Sequence, residues 1–93
     1  MQKYIRSECF TKQKIGSNIL LLPIGETADK IQGAVVLDEI SLYVWDLLAS
    51  EKTMDEIIEY MLQCFDVQRE IVEVDMQELL EQFVQCGIII LNE

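Results

Sequence analysis

Turn-forming residues crowd the first third of this 93-residue chain, and their distribution is its strongest constraint on the fold. Gly16, Pro23, Gly25 and Gly33 all fall there, whereas Gly87 stands alone near the C-terminus. Glycine and proline interrupt regular elements. Short strands joined by turns are therefore expected first, followed by long uninterrupted segments.

Three short segments of the first third predict a small antiparallel meander. Residues 19–22 form an apolar run bounded by turn formers, which is the pattern of a buried strand. Residues 10–15 would pair with that run as a hairpin. Residues 33–37 are rich in β-branched side chains and fit a third strand.

The next two elements are predicted to be amphipathic helices with recognisable starts. Asp38 is expected to cap a helix that ends near Ser50, because an aspartate side chain can accept a hydrogen bond from a free backbone N–H at a helix start. Thr53 and Glu56 have the spacing of a capping box, in which each side chain bonds to the other residue's backbone N–H. The second helix is expected to reach Phe65.

A third helix is predicted from near Arg69 to Cys86, with Gly87 at the position after the cap. Residues 88–91 then read as a terminal strand or extended segment. The apolar side chains of this helix cover an arc of roughly 160°, wider than the roughly 100° stripe of a helix packed on one partner. Two interpretations stay open: part of the arc faces something other than the core, or the helix is central in a small bundle.

Composition limits the chemistry available to the chain. A length of 93 residues with 51% hydrophobic residues fits one folded domain spanning residues 1–93. The chain has no histidine, and its three cysteines include no C-x-x-C pair, so we expect neither an enzyme nor a metal site or other cofactor. Cys64 and Cys86 are expected to act as small hydrophobes at apolar helical positions, and Trp45 as a core residue.

The charge of the chain is strongly acidic and unevenly placed. The formal charge is −10; residues 1–32 hold five basic and three acidic residues, and residues 33–93 hold two basic and fourteen acidic ones. This excess of negative charge repels the phosphate backbone of DNA or RNA, so nucleic-acid binding is not expected. No signal peptide or membrane-spanning segment is visible, and reduced thiols favour a cytoplasmic location.

Five segments resemble one known family. They are residues 36–48 (VLDEISLYVWDLL), 53–58 (TMDEII), 65–67 (FDV), 74–80 (VDMQELL) and 86–89 (CGII). Together they resemble the coenzyme PQQ synthesis protein D family, whose fold is also called the recognition element of ribosomally made, post-translationally modified peptides. The resemblance covers roughly residues 13–91.

The resemblance implies an α+β fold similar to a winged helix-turn-helix, with a three-stranded antiparallel sheet followed by three helices. It implies that the chain captures the leader segment of a precursor peptide and presents it to a peptide-modifying enzyme, often a radical SAM maturase. In that family the leader adds to the third strand and drops apolar side chains into the groove beside the third helix.

Carried over to this chain, the resemblance implies a docking edge at residues 33–38 and a groove wall on the third helix. The expected peptide-binding residues are Ala34, Val35, Val36, Leu37, Asp38, Val72, Asp75, Met76, Leu79 and Phe83. The acids of the third helix are expected to form a solvated face, with the alternative that they steer a basic leader or a basic enzyme surface.

Two other functions remain as alternatives. The first is a small acidic carrier protein with Ser41 as the attachment point, although Ile40 occupies the place where an aspartate is expected. The second is a winged-helix regulatory or interaction domain. A third helix with five acids and one arginine speaks against its entry into the major groove of DNA. The residues do not decide the oligomeric state.

Overall fold

The computed structural model describes residues 1–25 and 35–93. These residues form an α+β fold with five strands and three helices. The strands are β1 (Lys3–Arg6), β2 (Phe10–Ile15), β3 (Asn18–Pro23), β4 (Val35–Leu37) and β5 (Ile89–Asn92). The helices are α1 (Glu39–Leu47), α2 (Met54–Cys64) and α3 (Arg69–Gln85).

Strands β2, β3 and β4 form the expected three-stranded antiparallel sheet, in that order. The hairpin between β2 and β3 turns at Gly16, whose φ of 62° is readily adopted only by glycine. Leu21 and Leu37 point into the core with 0% and 6% exposure. The predicted third strand is confirmed over Val35–Leu37; Gly33 and Ala34 lie outside the described residues.

A second sheet, which the sequence did not predict, joins the two ends of the chain. Strand β1 pairs antiparallel with β5, with Tyr4 opposite Leu91. On its other side, the backbone of Tyr4 exchanges hydrogen bonds of 2.8 and 2.9 Å with Lys52. The N-terminal segment therefore lies between the C-terminal strand and the α1–α2 connection.

The helix ends follow the predicted caps. Thr53 and Glu56 form the capping box, with the backbone N–H of Glu56 donating to Thr53 at 3.2 Å and that of Thr53 donating to Glu56 at 2.9 Å. Gly87 has φ 80° and follows the cap of α3 as predicted. Its N–H donates to the carbonyl of Val84, and the N–H of Ile88 donates to that of Phe83. Both bonds satisfy carbonyls that the helix leaves free.

The core draws on the three-stranded sheet, all three described helices and β5. Its fully enclosed side chains include Leu21, Val44, Leu48, Ile57, Leu80, Ile88 and Ile89. Trp45 is a core residue, as predicted, with 4% exposure, and the guanidinium carbon of Arg6 lies 4.5 Å from its ring centre. None of the described helices has the length and apolar character needed to cross a bilayer.

Cys64 and Cys86 were predicted to act as small hydrophobes at apolar helical positions, and this prediction is wrong, since both are exposed. Cys64 is the last residue of α2 and Cys86 caps α3. The apolar periodicity that buries residues one turn earlier does not extend to positions where each helix ends and the chain turns away.

Candidate functional site

Strand β4 lies at one side of the three-stranded sheet. It pairs with β3 on its inner side, and no strand within residues 1–25 or 35–93 pairs with its outer side. Its three residues include neither a charged side chain nor a proline, the usual protections of an edge strand. Val36 is 64% exposed. The outer side of β4 therefore offers backbone donors and acceptors beside an apolar side chain.

A groove begins where β4 ends, between the first turn of α1 and the middle of α3. We call it the α1/α3 groove; its volume is about 320 Å³. It is lined by Asp38, Ile40, Ser41, Asp75, Met76, Glu78, Leu79 and Gln82. Asp75, Glu78, Leu79 and Gln82 have the i, i+3, i+4, i+7 spacing that places side chains on one face of a helix. One face of α3 therefore forms the wall of the groove.

A second, smaller hollow continues from the groove towards the end of α2. Its volume is about 150 Å³, and it is lined by Ile40, Met61, Phe65, Val67, Val72, Asp75 and Met76. Ile40, Asp75 and Met76 border both the hollow and the groove. We call it the apolar hollow, because Asp75 is the one charged residue in its lining. The groove and the hollow therefore adjoin each other, and Asp38, the residue after β4, borders the groove.

Asp38 joins the strand edge to the groove. Its Oδ1 accepts a hydrogen bond of 2.7 Å from the backbone N–H of Ser41, as predicted for a helix cap. This bond from the Ser41 backbone holds the pKa of the Asp38 carboxyl below its usual range. Asp38 is therefore a carboxylate at neutral pH, at the junction of the edge strand and the groove.

The charged residues that line the groove are all acidic: Asp38, Asp75 and Glu78. The ion pairs of the described residues lie elsewhere. Lys12 and Arg6 approach Asp46 at 3.2 and 4.0 Å. Arg69 pairs with Glu59 and Glu73. Within the described part of the chain, no cation forms an ion pair with the groove carboxylates.

The structure divides the expected peptide-binding residues among four locations. Asp38, Asp75, Met76 and Leu79 meet in the groove, and Val72 borders the apolar hollow. Val35, Val36 and Leu37 form the edge strand, with Leu37 directed into the core. Phe83 is 7% exposed and belongs to the core, and it lines neither the groove nor the hollow. Ala34 lies outside the described residues.

Sequence reasoning missed several residues that line these two cavities. They are Ile40, Glu78 and Gln82 in the groove, and Met61, Phe65 and Val67 in the hollow. The spacing of Glu78 and Gln82 from Asp75 was a usable signal for the groove wall. Ile40 lies in the first turn of α1 and is 37% exposed. No local sequence pattern shows that the end of α2 lies close to Ile40, because the two are distant along the chain.

Ser41 bears on the carrier-protein alternative. Its side chain is buried, with 7% of the residue exposed, and it sits in the first turn of α1. An attachment serine must present its hydroxyl to a transferase, so the buried position of Ser41 does not favour that alternative.

Comparison with solved structures shows that the fold is shared. The structure is similar to "TbiB1 in Complex with the TbiA(beta) Leader Peptide", with a TM-score of 0.72 and 21% sequence identity. The match covers 91% of this chain and 93% of that one. A comparison with curated proteins gave no match.

The fold and the site define a small α+β protein with an edge strand beside a groove. The chain belongs to the coenzyme PQQ synthesis protein D (PqqD) family, whose model matches residues 16–89. The matched segment contains β4, α1, α2 and α3. The resemblance seen in the sequence is thereby confirmed.

Proposed function

We propose that this chain binds the leader segment of a ribosomally made precursor peptide and presents it to a peptide-modifying enzyme. Family membership favours a radical SAM maturase as that enzyme. The leader adds as a strand to the outer side of β4 and places side chains in the α1/α3 groove. Membership of the PqqD family supports this function. The similar fold of TbiB1, which was solved with a leader peptide, supports it further.

The observation that carries the proposal is the position of β4 relative to the groove. An extended peptide gains main-chain hydrogen bonds when it adds to a sheet edge, and alternate side chains then select among neighbouring pockets. Strand β4 ends at Leu37, and the next residue, Asp38, already lines the groove. Backbone pairing and side-chain recognition can therefore act on one continuous peptide.

The groove can hold side chains as well as border the strand. Leu79 is half-buried at its wall, and Met76 is buried beneath it with 4% exposure. An apolar side chain that covers Leu79 and Ile40 removes further apolar surface from water, which is favourable by about 25 cal/mol per Å².

The composition of the chain fits a peptide-binding protein better than a catalyst. The chain has no histidine, the commonest general base. Strand β4 is short over the described residues Val35–Leu37, which limits the number of backbone hydrogen bonds, and ordering a flexible leader costs entropy. We expect a Kd on the order of micromolar for the leader alone, with tighter binding when the enzyme adds contacts.

Binding of the two halves of a precursor peptide tests the proposal. A short open reading frame beside the gene supplies the candidate, and its leader and core halves are made as separate labelled peptides. Fluorescence anisotropy should show micromolar binding of the leader half, and no binding of the core half or of a scrambled leader. Absence of leader binding up to about 1 mM, an affinity of only about 4 kcal/mol, would contradict the proposal.

A matched pair of variants then locates the binding site. Leu79→Ala should weaken leader binding about three- to tenfold, the effect of about 1 kcal/mol of lost apolar contact. Val84→Ala is the control, because Val84 is also half-buried on α3 but faces a hollow beside Tyr4 and Leu91. Equal effects of the two variants would place the leader elsewhere.

A further inference from the structure

We infer that the peptide segment crossing the α1/α3 groove carries a lysine or arginine side chain, held by the carboxylates of Asp38, Asp75 and Glu78. This inference rests on the proposed function and specifies the class of leader that the site accepts.

The three carboxylates converge on one groove from two elements. Asp75 and Glu78 are three residues apart on α3 and share the helix face that forms the groove wall. Asp38 approaches from the end of β4 and the start of α1. A peptide that passes from the strand edge into the groove therefore meets negative charge from both sides.

Asp75 and Glu78 differ from Glu73 on the same helix in what surrounds them. Glu73 already pairs with Arg69 at 3.0 Å. Asp75 and Glu78 border a cavity whose other lining residues include Ile40, Met76 and Leu79. An apolar floor with an acidic rim matches a long basic side chain, whose methylene stem packs on apolar surface while its charged end stays at the rim.

The groove carboxylates have no ion-pair partner among residues 1–25 and 35–93, which leaves them available to a cation on a bound peptide. Arg6, Lys12 and Arg69 are engaged with Asp46, Glu59 or Glu73, and none pairs with a groove carboxylate. The formal charge of the chain is −10. A field of that sign speeds the approach of a basic peptide and disfavours an acidic one.

The expected size of the effect is modest, because the carboxylates are solvent-exposed. An exposed ion pair typically contributes about 0.2–1 kcal/mol, so each carboxylate should change peptide affinity by roughly 1.5- to fivefold. Two together should give roughly 2- to 25-fold when their effects add. At about 1 M salt, where the Debye length is about 3 Å, most of this difference should disappear.

Peptide display with charge-reversed variants tests the inference. A random peptide library is selected on the wild-type protein, on Asp75→Lys/Glu78→Lys, and on the control Glu70→Lys/Glu81→Lys, which makes the same charge change on α3 outside the groove. Circular dichroism and thermal unfolding first confirm that each variant is folded. Selected peptides are analysed further only when they shift the backbone amide NMR signals of Val35, Val36 and Leu37.

The wild-type protein and the control should both enrich peptides with lysine or arginine at a fixed distance from an apolar segment. The groove variant should enrich aspartate or glutamate at that position. For one selected peptide, the neutral variant Asp75→Asn/Glu78→Gln should bind about three- to tenfold more weakly in dilute buffer.

Two results would overturn the inference in different ways. Peptides that bind at β4 without a basic preference, or a preference that charge reversal leaves unchanged, would overturn charge selection while leaving leader binding intact. Failure to recover any peptide that shifts the β4 amides would overturn both charge selection and the proposed function.

Discussion

The backbone N–H of Ser41 donates a hydrogen bond of 2.7 Å to Oδ1 of Asp38, and this contact fixes the point where β4 gives way to α1. Asp38 is both the helix cap and a residue of the groove. The geometry of the candidate site therefore depends on a local hydrogen bond that the sequence predicts.

Substitution of Asp38 should separate its capping role from its charge. Asp38→Ala removes the acceptor and should lower the free energy of unfolding by about 1 kcal/mol, whereas Asp38→Asn keeps a capping side chain and should change it by only a few tenths. Urea denaturation of the two variants beside the wild type gives both values. Equal losses in the two variants would show that the carboxylate charge, rather than the capping bond, stabilises this helix start.

Acid should weaken the fold through two capping carboxylates. The hydrogen bond from the Ser41 backbone lowers the pKa of Asp38, and the one from the Thr53 backbone lowers the pKa of Glu56. Each group therefore contributes stability above its unfolded pKa, about 4, and loses it as the pH falls through the lower folded pKa. The urea midpoint should decrease below about pH 4.

The double variant Asp38→Asn/Glu56→Gln should show a shallower decrease in that acid range. Asparagine and glutamine can keep the capping bonds but do not titrate. Glu81→Gln is the control, because Glu81 makes no hydrogen bond or ion pair with other described residues. The same acid dependence in the wild type and the double variant would contradict the assignment.

Adjacent leucines on α3 should differ sharply in their contribution to stability. Leu80 is fully enclosed in the core, and Leu80→Ala should lower the free energy of unfolding by about 2–5 kcal/mol. Leu79 is half-buried at the groove, and Leu79→Ala should cost about 1 kcal/mol. Chemical denaturation measures both variants. A larger loss for Leu79 than for Leu80 would mean that α3 is rotated relative to the core.

Gly87 should be hard to replace because of its backbone conformation. Its φ is 80°, and a side chain with a Cβ atom costs roughly 1–2 kcal/mol in the left-handed region. Gly87→Ala should therefore lower stability by about that amount, while Gln85→Ala, an exposed substitution in the last turn of α3, should change it by less than about 0.5 kcal/mol. Thermal unfolding of the two variants measures the difference. Equal stability of the two variants would contradict the left-handed backbone conformation at Gly87.

Local chemistry explains what the sequence predicted of the fold. The caps at Asp38 and Thr53 and the turn at Gly87 each depend on residues within a few positions of one another, and all three are confirmed. The pairing of β1 with β5 was missed because it joins the two ends of the chain. Its four N-terminal residues, Lys3–Arg6, carry no clear strand pattern of their own.

Residues of the candidate site could be predicted from the sequence where they lie together on one helix face or in one strand. Asp75, Met76 and Leu79 line the groove, and the family resemblance had named them as part of its wall; their role in peptide binding stays a prediction. Phe83 was expected at the site with them, but it packs into the core. Helical spacing gives the direction in which a side chain points around the helix axis. It does not show which part of the protein packs against that side chain.

The apolar hollow depends on contacts that spacing along one element cannot predict. Ile40 and Phe65 border it from α1 and from the cap of α2. The ring of Tyr43 packs edge-on against Phe65 with centres 5.5 Å apart. Only the packing of α1 against the end of α2 brings these residues together.

Amide hydrogen exchange, followed by NMR with and without a saturating leader peptide, tests strand addition at β4 most directly. The proposal predicts slower exchange at amides of Val35–Leu37 on their outer side, together with chemical-shift changes at Asp75 and Leu79. Strand β5 (Ile89–Asn92) in the second sheet should exchange at the same rate in both samples. Unchanged exchange throughout β4, with the leader bound elsewhere or protection appearing at β5, would contradict the proposed mode of binding.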